Sequence, residues 1–148
     1  MAIINKNVKP LKNDRDENIF IGIDLPFRKS EGRDGWFTST TTTIEAVKNN
    51  IRNLLLTERG ERVMQPRLGV KLRKYLFEPF TTDVKIAIQN QVVDTFAYWL
   101  PYVTVKKIDV DMSSTIDDSH FSTLNISIEF ILDKQIDSTE SIQVTIGE

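Results

Sequence analysis

Five carboxylates between residues 45 and 83, those of Glu45, Glu58, Glu61, Glu78 and Asp83, are the groups whose spacing could support hydrolysis. Cleaving a glycosidic bond needs two carboxyls flanking it at a fixed separation, one of them raised in pKa by an apolar pocket. Four of the five have a structural explanation close at hand. Glu45 stands three residues after Thr42, which is capping-box spacing, and Asp83 falls in the first turn of a helix, where it complements the dipole. Glu58 and Glu61 alternate with Arg59 and Arg62, which suits ion pairing. No pair is set in an apolar pattern, so no residue is assigned a catalytic role.

Other chemistry fares no better. Gly60 and Gly69 lie nine residues apart with no Gly-Lys-Ser/Thr unit after them, which fails the spacing of a phosphate cradle. Asp109 and Asp111 share a strand face and Asp117 and Asp118 occupy the next turn, far from the pattern of a calcium loop. With one histidine, His120, and no cysteine, a transition-metal cage, a catalytic triad, a thiol nucleophile and a disulfide framework are all disfavoured. Neither a metal nor a cofactor is expected. Arg59, Arg62, Arg67, Lys71, Arg73 and Lys74 form a basic stretch, but it lacks interleaved aromatics and the whole chain is not basic, so it fits a protein partner better than a nucleic acid.

The 148 residues suffice for one domain with a single core. The N-terminal segment lacks the apolar core of a signal peptide, and no run approaches the roughly eighteen apolar residues of a membrane span. These features read as a soluble protein of a reducing cytoplasm, with no membrane partner. The net charge is −2, yet residues 1–108 carry 18 basic and 12 acidic groups, whereas residues 109–148 carry one lysine against nine acids. That asymmetry fits first a solvated acidic sheet face, and second a subunit meeting oppositely charged neighbours at its two ends.

The elements that must position these residues follow from periodicity. Residues 1–17 are polar and aperiodic, which predicts an arm disordered on its own and able to order on a partner. NIFIGIDLPF alternates Ile19, Ile21, Ile23 and Leu25 and predicts a short strand closed by Pro26. RKSEGRDGWFTSTTTT reads as a connector, which places the boundary between an extended arm, residues 1–40, and a compact domain, residues 41–148. Ile44, Val47, Ile51, Leu54 and Leu55 predict a helix begun at Thr42 and stopped by Gly60. Residues 62–66 should then be extended ahead of Pro66, with a second turn at Gly69. Leu72, Leu76 and Phe77 suggest a short amphipathic helix. Val84, Ile88, Val92, Phe96 and Leu100 predict a long one, capped by Thr81 or Thr82 and ended by Pro101.

Beyond Pro101 the period becomes two. Val103 and Val105, then Ile108, Val110 and Met112, define a strand whose parity switches at Lys106 and Lys107, the mark of a bulge. After the turn STIDDSH, the residues Leu124, Ile126, Ile128, Phe130 and Leu132 alternate, as do Ile142, Val144 and Ile146 after the polar connector DKQIDSTE. The fold class is α+β, a two-layer sandwich of helices on a small antiparallel sheet with a C-terminal three-stranded meander. On the last strand, Ser141, Gln143 and Thr145 include no lysine or proline to discourage pairing. Its edge is either covered by the strand at 19–25 or available to another chain.

These residues carry a resemblance. IRNLLLTERGERVMQPRLGVKLRKYLFEPF resembles the core of the baseplate-wedge or sheath-initiator family of contractile phage tails. In that family an apolar helix runs into T-x-x-G-x-R, a proline, F/L-G and a helix ending in L-F-E. Leu55, Thr57, Gly60, Arg62, Pro66, Gly69, Leu76, Phe77 and Glu78 fall in step, GIDLPF upstream is also similar, and the likeness spans about residues 18–146. Where the family carries Glu-Pro-Arg after the long helix, this chain has Leu100, Pro101 and Tyr102.

The resemblance implies a non-enzymatic subunit of the tail baseplate in a virion, assembled in the host cytoplasm, whose sheet starts sheath polymerisation by strand pairing. Sheath protein and other wedge proteins would be its partners, with tube or hub proteins as further ones. Trp99, Leu100, Pro101 and Tyr102 would form one partner contact, unless they simply cap the core. Ser141, Gln143 and Thr145, with Asp133, Asp137 and Glu140, would face the sheath. Arg59, Gly60, Arg62, Pro66, Arg67 and Gly69 would serve a second contact or the local structure. The domain also resembles baseplate subunits of type VI secretion systems and of phage-derived injection particles, and a soluble regulator-binding adaptor. Some of the family is labelled lysozyme-like, but no carboxylate arrangement here supports peptidoglycan cleavage.

Overall fold

The computed structural model describes residues 19–30, 36–114, 122–132 and 135–147. The N-terminal arm, residues 1–17, and most of the turn before the second long strand lie outside these. The chain divides into two compact units between Asn53 and Leu54, within a continuous helix.

The first unit is built on an irregular hairpin. β1 (Gly22–Ile23) pairs antiparallel with β2 (Ser39–Thr40), and Lys29 bridges Phe37 further out. The Thr-rich stretch before the helix is therefore not a mere connector. Its backbone accepts the Ile21 and Asp24 N–H groups at 2.9 Å, through the carbonyls of Thr40 and Thr38. Ile19 and Ile23 are 44% and 53% exposed, so the alternation of this strand does not mark a core face. Two side chains of α1 (Thr43–Leu56) hold the hairpin instead. Asn49, 7% exposed, donates to the Ile23 carbonyl at 3.3 Å, and Arg52 donates to the Leu25 carbonyl at 2.7 Å. The helix begins as its capping residue predicts, with the Glu45 N–H donating to Thr42 Oγ1 at 3.3 Å, and it buries Val47, Ile51, Leu54 and Leu55.

The second unit is a meander of order β3-β4-β5, with α2 packed against β3. α2 (Thr82–Trp99) is capped by Thr81, whose hydroxyl accepts the Val84 N–H at 3.4 Å, and Asp83 lies in its first turn. Ile88, Val92, Thr95 and Phe96 are its buried face. β3 (Val103–Ser114) pairs antiparallel with β4 (Ser122–Leu132), with a register shift between Val105 and Lys107, so the parity switch is a bulge. Gln89 on α2 donates to the Ile108 carbonyl just beyond it at 2.7 Å, pinning helix to sheet. β5 (Gln135–Ile146) pairs with β4 and begins earlier than its apolar residues suggest, because residues 135–140, read as connector, already belong to the strand. Val110, Leu124, Ile126, Ile128, Phe130, Ile142, Val144 and Ile146 face the buried side, and each such side chain contributes about 1.5–3 kcal/mol when fully removed from water. The architecture is α+β.

Between α1 and α2 the expected short amphipathic helix is a 3-10 turn, Arg73–Phe77, in contact with β4. Three residues per turn bring Leu72 and Tyr75 inward, 0% and 5% exposed, and leave Phe77 89% exposed, contrary to its expected place in the core. Tyr75 donates its hydroxyl proton to Gln91 Oε1 at 3.1 Å, which ties the turn to α2.

Candidate interaction surface

The segment 57–73 is cross-braced by backbone and carboxylate hydrogen bonds. Gly60 and Gly69 have φ of 98° and 101°, a conformation that costs other residues a Cβ–carbonyl clash. Gly69 is also sterically required, since a Cβ there would lie 2.1 Å from the Thr57 carbonyl oxygen. That close approach lets the Val70 N–H donate to the same carbonyl at 2.9 Å. The Gly60 N–H donates to the Pro66 carbonyl at 2.9 Å, closing residues 60–66 into a finger. Inside it, Gln65 N–H donates to Arg62 and Leu68 N–H to Gln65, so residues 62–66 form tight turns and not the extended crossing expected from Pro66. The proline still excludes helix, but closure by Gly60 bends the chain back on itself.

The two glutamates of this segment serve the backbone. Glu61 Oε2 accepts the Glu58 N–H at 2.9 Å, and Glu58 Oε1 accepts the Arg73 N–H at 3.1 Å, at the start of the 3-10 turn. Charged acceptors make these bonds stronger than neutral ones and fasten both ends of the finger. Arg59 and Arg67 are exposed, with no side-chain hydrogen bond or ion pair among the described residues. At the tip, Val63 and Met64 are each 92% exposed. Periodicity gave no sign of this tip, because two apolar residues before a proline look like part of a buried strand.

At the end of α2, Leu100 is 6% exposed, and its N–H closes the helix onto the Phe96 carbonyl at 2.8 Å. Pro101 and Tyr102 are exposed, while Trp99 stacks edge-on against the exposed Tyr98 with ring centroids 5.0 Å apart. Leu100 thus belongs to the core, and the outward aromatic surface comes from Tyr98, Trp99 and Tyr102. Tyr98 could not be singled out from sequence, since it lies between two residues of the helical apolar stripe.

On β5, Ser141, Gln143 and Thr145 point away from the buried face and register with Glu129, Ser127 and Asn125, and Thr145 donates to Asn125 Oδ1 at 2.8 Å. β1 pairs with β2 in a separate sheet, and among the described residues β4 is the only strand hydrogen-bonded to β5. Glu140 and Asp137 lie in β5, and Asp133 lies outside the described residues. At the opposite edge, on β3, Lys107 and Asp109 pair at 2.5 Å. Their hydrogen bond raises the lysine pKa above its ordinary value and lowers that of the aspartate, both groups being exposed to solvent. Among the described residues, no cluster of three or more His, Cys, Asp or Glu could hold a metal ion, and no helix is long and apolar enough to cross a membrane.

Among the described residues, the second unit thus presents a β5 edge with no further strand, a braced finger and an aromatic helix end. The family model described as baseplate wedge protein gp25 matches residues 41–136, and the chain belongs to that family. It is thereby a subunit of a contractile-tail baseplate. Solved structures share the fold. The baseplate of the anti-feeding prophage contains a chain 24% identical, with a TM-score of 0.61, matched over 78% of this chain and 86% of that one. A putative tail lysozyme from Geobacter sulfurreducens is also 24% identical, with a TM-score of 0.59 over 74% of this chain and 95% of that one. No curated protein sequence matches.

Proposed function

We propose that this baseplate subunit is non-enzymatic and initiates sheath polymerisation by offering the edge of β5 to a strand of the sheath protein. The observation that carries the reading is the twelve-residue β5, which has β4 on one side and no described strand on the other. Its outward side chains there are short and neutral, namely Ser141, Gln143 and Thr145. Backbone groups along such an edge supply affinity to an added strand without demanding a special sequence. The β3 edge is the poorer template, since it carries a bulge and the adjacent Lys106 and Lys107, devices that discourage pairing.

A hydrolase reading finds no such support. Glu58 and Glu61, the carboxylates nearest each other in the loop, accept backbone N–H groups. The proposed contact residues of the α2 end, Trp99, Pro101 and Tyr102, face neighbouring wedge proteins in this account, and Leu100 anchors them. Deleting the gene in its native particle and imaging by negative-stain electron microscopy tests the function. Tubes bearing baseplates but no sheath are expected, and normally sheathed tails would reject the initiator role.

A further inference from the structure

We infer that the finger of residues 60–66 is a preformed plug for an apolar socket rimmed by carboxylates on another baseplate subunit. This inference rests on the baseplate reading and does not depend on strand pairing by β5.

Singly exposed apolar residues are ordinary and need no explanation. Here the circumstances differ in two respects. The finger is internally fastened, by the Gly60 to Pro66 closure, the turns at 62–65 and 65–68, and the carboxylates of Glu58 and Glu61 at its base. Yet the two apolar side chains it presents, Val63 and Met64, are almost wholly in water and contribute nothing to the core. A rigid loop loses little conformational freedom on docking, so its exposed groups convert burial into affinity efficiently. Methionine is suited to such a tip because its unbranched thioether adapts to an irregular pocket.

Charge specifies the socket. Residues 57–74 carry six basic and two acidic side chains. Both acids are committed to backbone donors at the base of the finger, while Arg59 and Arg67 remain exposed without an acidic partner among the described residues. A carboxylate rim therefore complements the finger and orients it, while the apolar pair fills the pocket behind the rim. A nucleic acid would satisfy the arginines but leave Val63 and Met64 in water, so a protein socket is the better fit.

The chain has no cysteine, so Met64→Cys introduces a unique thiol at a site 92% exposed. Baseplates assembled from this full-length variant without sheath protein are treated with a maleimide, alongside the free protein. Labelling at least about tenfold slower in the baseplate is expected, as for a residue in a desolvated contact. A benzophenone-maleimide at the same thiol should cross-link to a segment of another baseplate protein that contains apolar residues flanked by Asp or Glu. The double variant Arg59→Glu and Arg67→Glu should lower incorporation into baseplates while circular dichroism shows an unchanged fold. Equal labelling rates, or cross-linking to nucleic acid, would overturn the proposal. Absence of the chain from purified baseplates would overturn the baseplate reading itself and the finger's assigned partner with it.

Discussion

Gly69 shows how one residue can decide the geometry of a surface. Its left-handed backbone alone would exclude other residues weakly, but the Thr57 carbonyl at 2.1 Å from any added Cβ makes the exclusion steric as well. Gly60 has a similar φ and open space around it. The two glycines, which look alike in sequence, therefore differ in cost. Gly60→Ala should destabilise by about 1 kcal/mol, the backbone penalty alone. Gly69→Ala should cost at least about 3 kcal/mol, because it also displaces the Val70 to Thr57 hydrogen bond and the finger's base. Urea denaturation of both variants, with the slope of the transition held constant, separates the two values. Equal midpoints would contradict the steric account. The glutamates of the same segment make a related point. Spacing pairs Glu58 and Glu61 with neighbouring arginines, but folding places their carboxylates within reach of backbone donors, a partner that sequence spacing does not display.

Legibility varies by element, for reasons that can be named. α2 and the three long strands bury one face against a partner layer, so their apolar residues recur with the period of the backbone, and even the bulge in β3 shows as a change of parity. Elements held by something other than an apolar face are hidden. The hairpin of β1 and β2 is fastened by Asn49 and Arg52 from α1, side chains 25 or more residues away in sequence from the groups they bind. The finger is closed by Gly60 and Pro66, and the 3-10 turn replaces the expected period of 3.6 with one of three, exchanging Phe77 for Tyr75 in the core. The start of β5 is hidden too, because a polar strand at a sheet edge needs no alternating apolar face. As for the candidate site, the glycines and the β5 residues stand out by type and spacing. Val63, Met64 and Tyr98 do not, since only tertiary structure tells which apolar residues remain in water. At this scale the acidic residues proposed to face the sheath, Asp133, Asp137 and Glu140, bear a specific prediction. Changing all three to lysine should shorten or abolish sheath and leave the thermal transition of the isolated protein nearly unmoved, since in the proposed role these charges act in association and not in folding. Sheath of normal length would reject a role for these charges.

For the whole molecule, the charge asymmetry along the chain acquires a meaning. The basic residues cluster in the segment that builds the finger, and the acidic ones collect in the meander that ends with β5. In the proposed role, a subunit that meets the baseplate by one surface and the sheath by another gains from surfaces of opposite sign, because each then disfavours the other's partner. The central claim is that sheath growth begins at the β5 edge. A cryo-electron microscopy map of assembled particles at side-chain resolution tests it most directly. The account predicts a strand of sheath protein running alongside β5 at about 4.8 Å, the spacing of hydrogen-bonded neighbours in a sheet. A β5 edge left in solvent, with the first sheath ring seated on another surface, would contradict it.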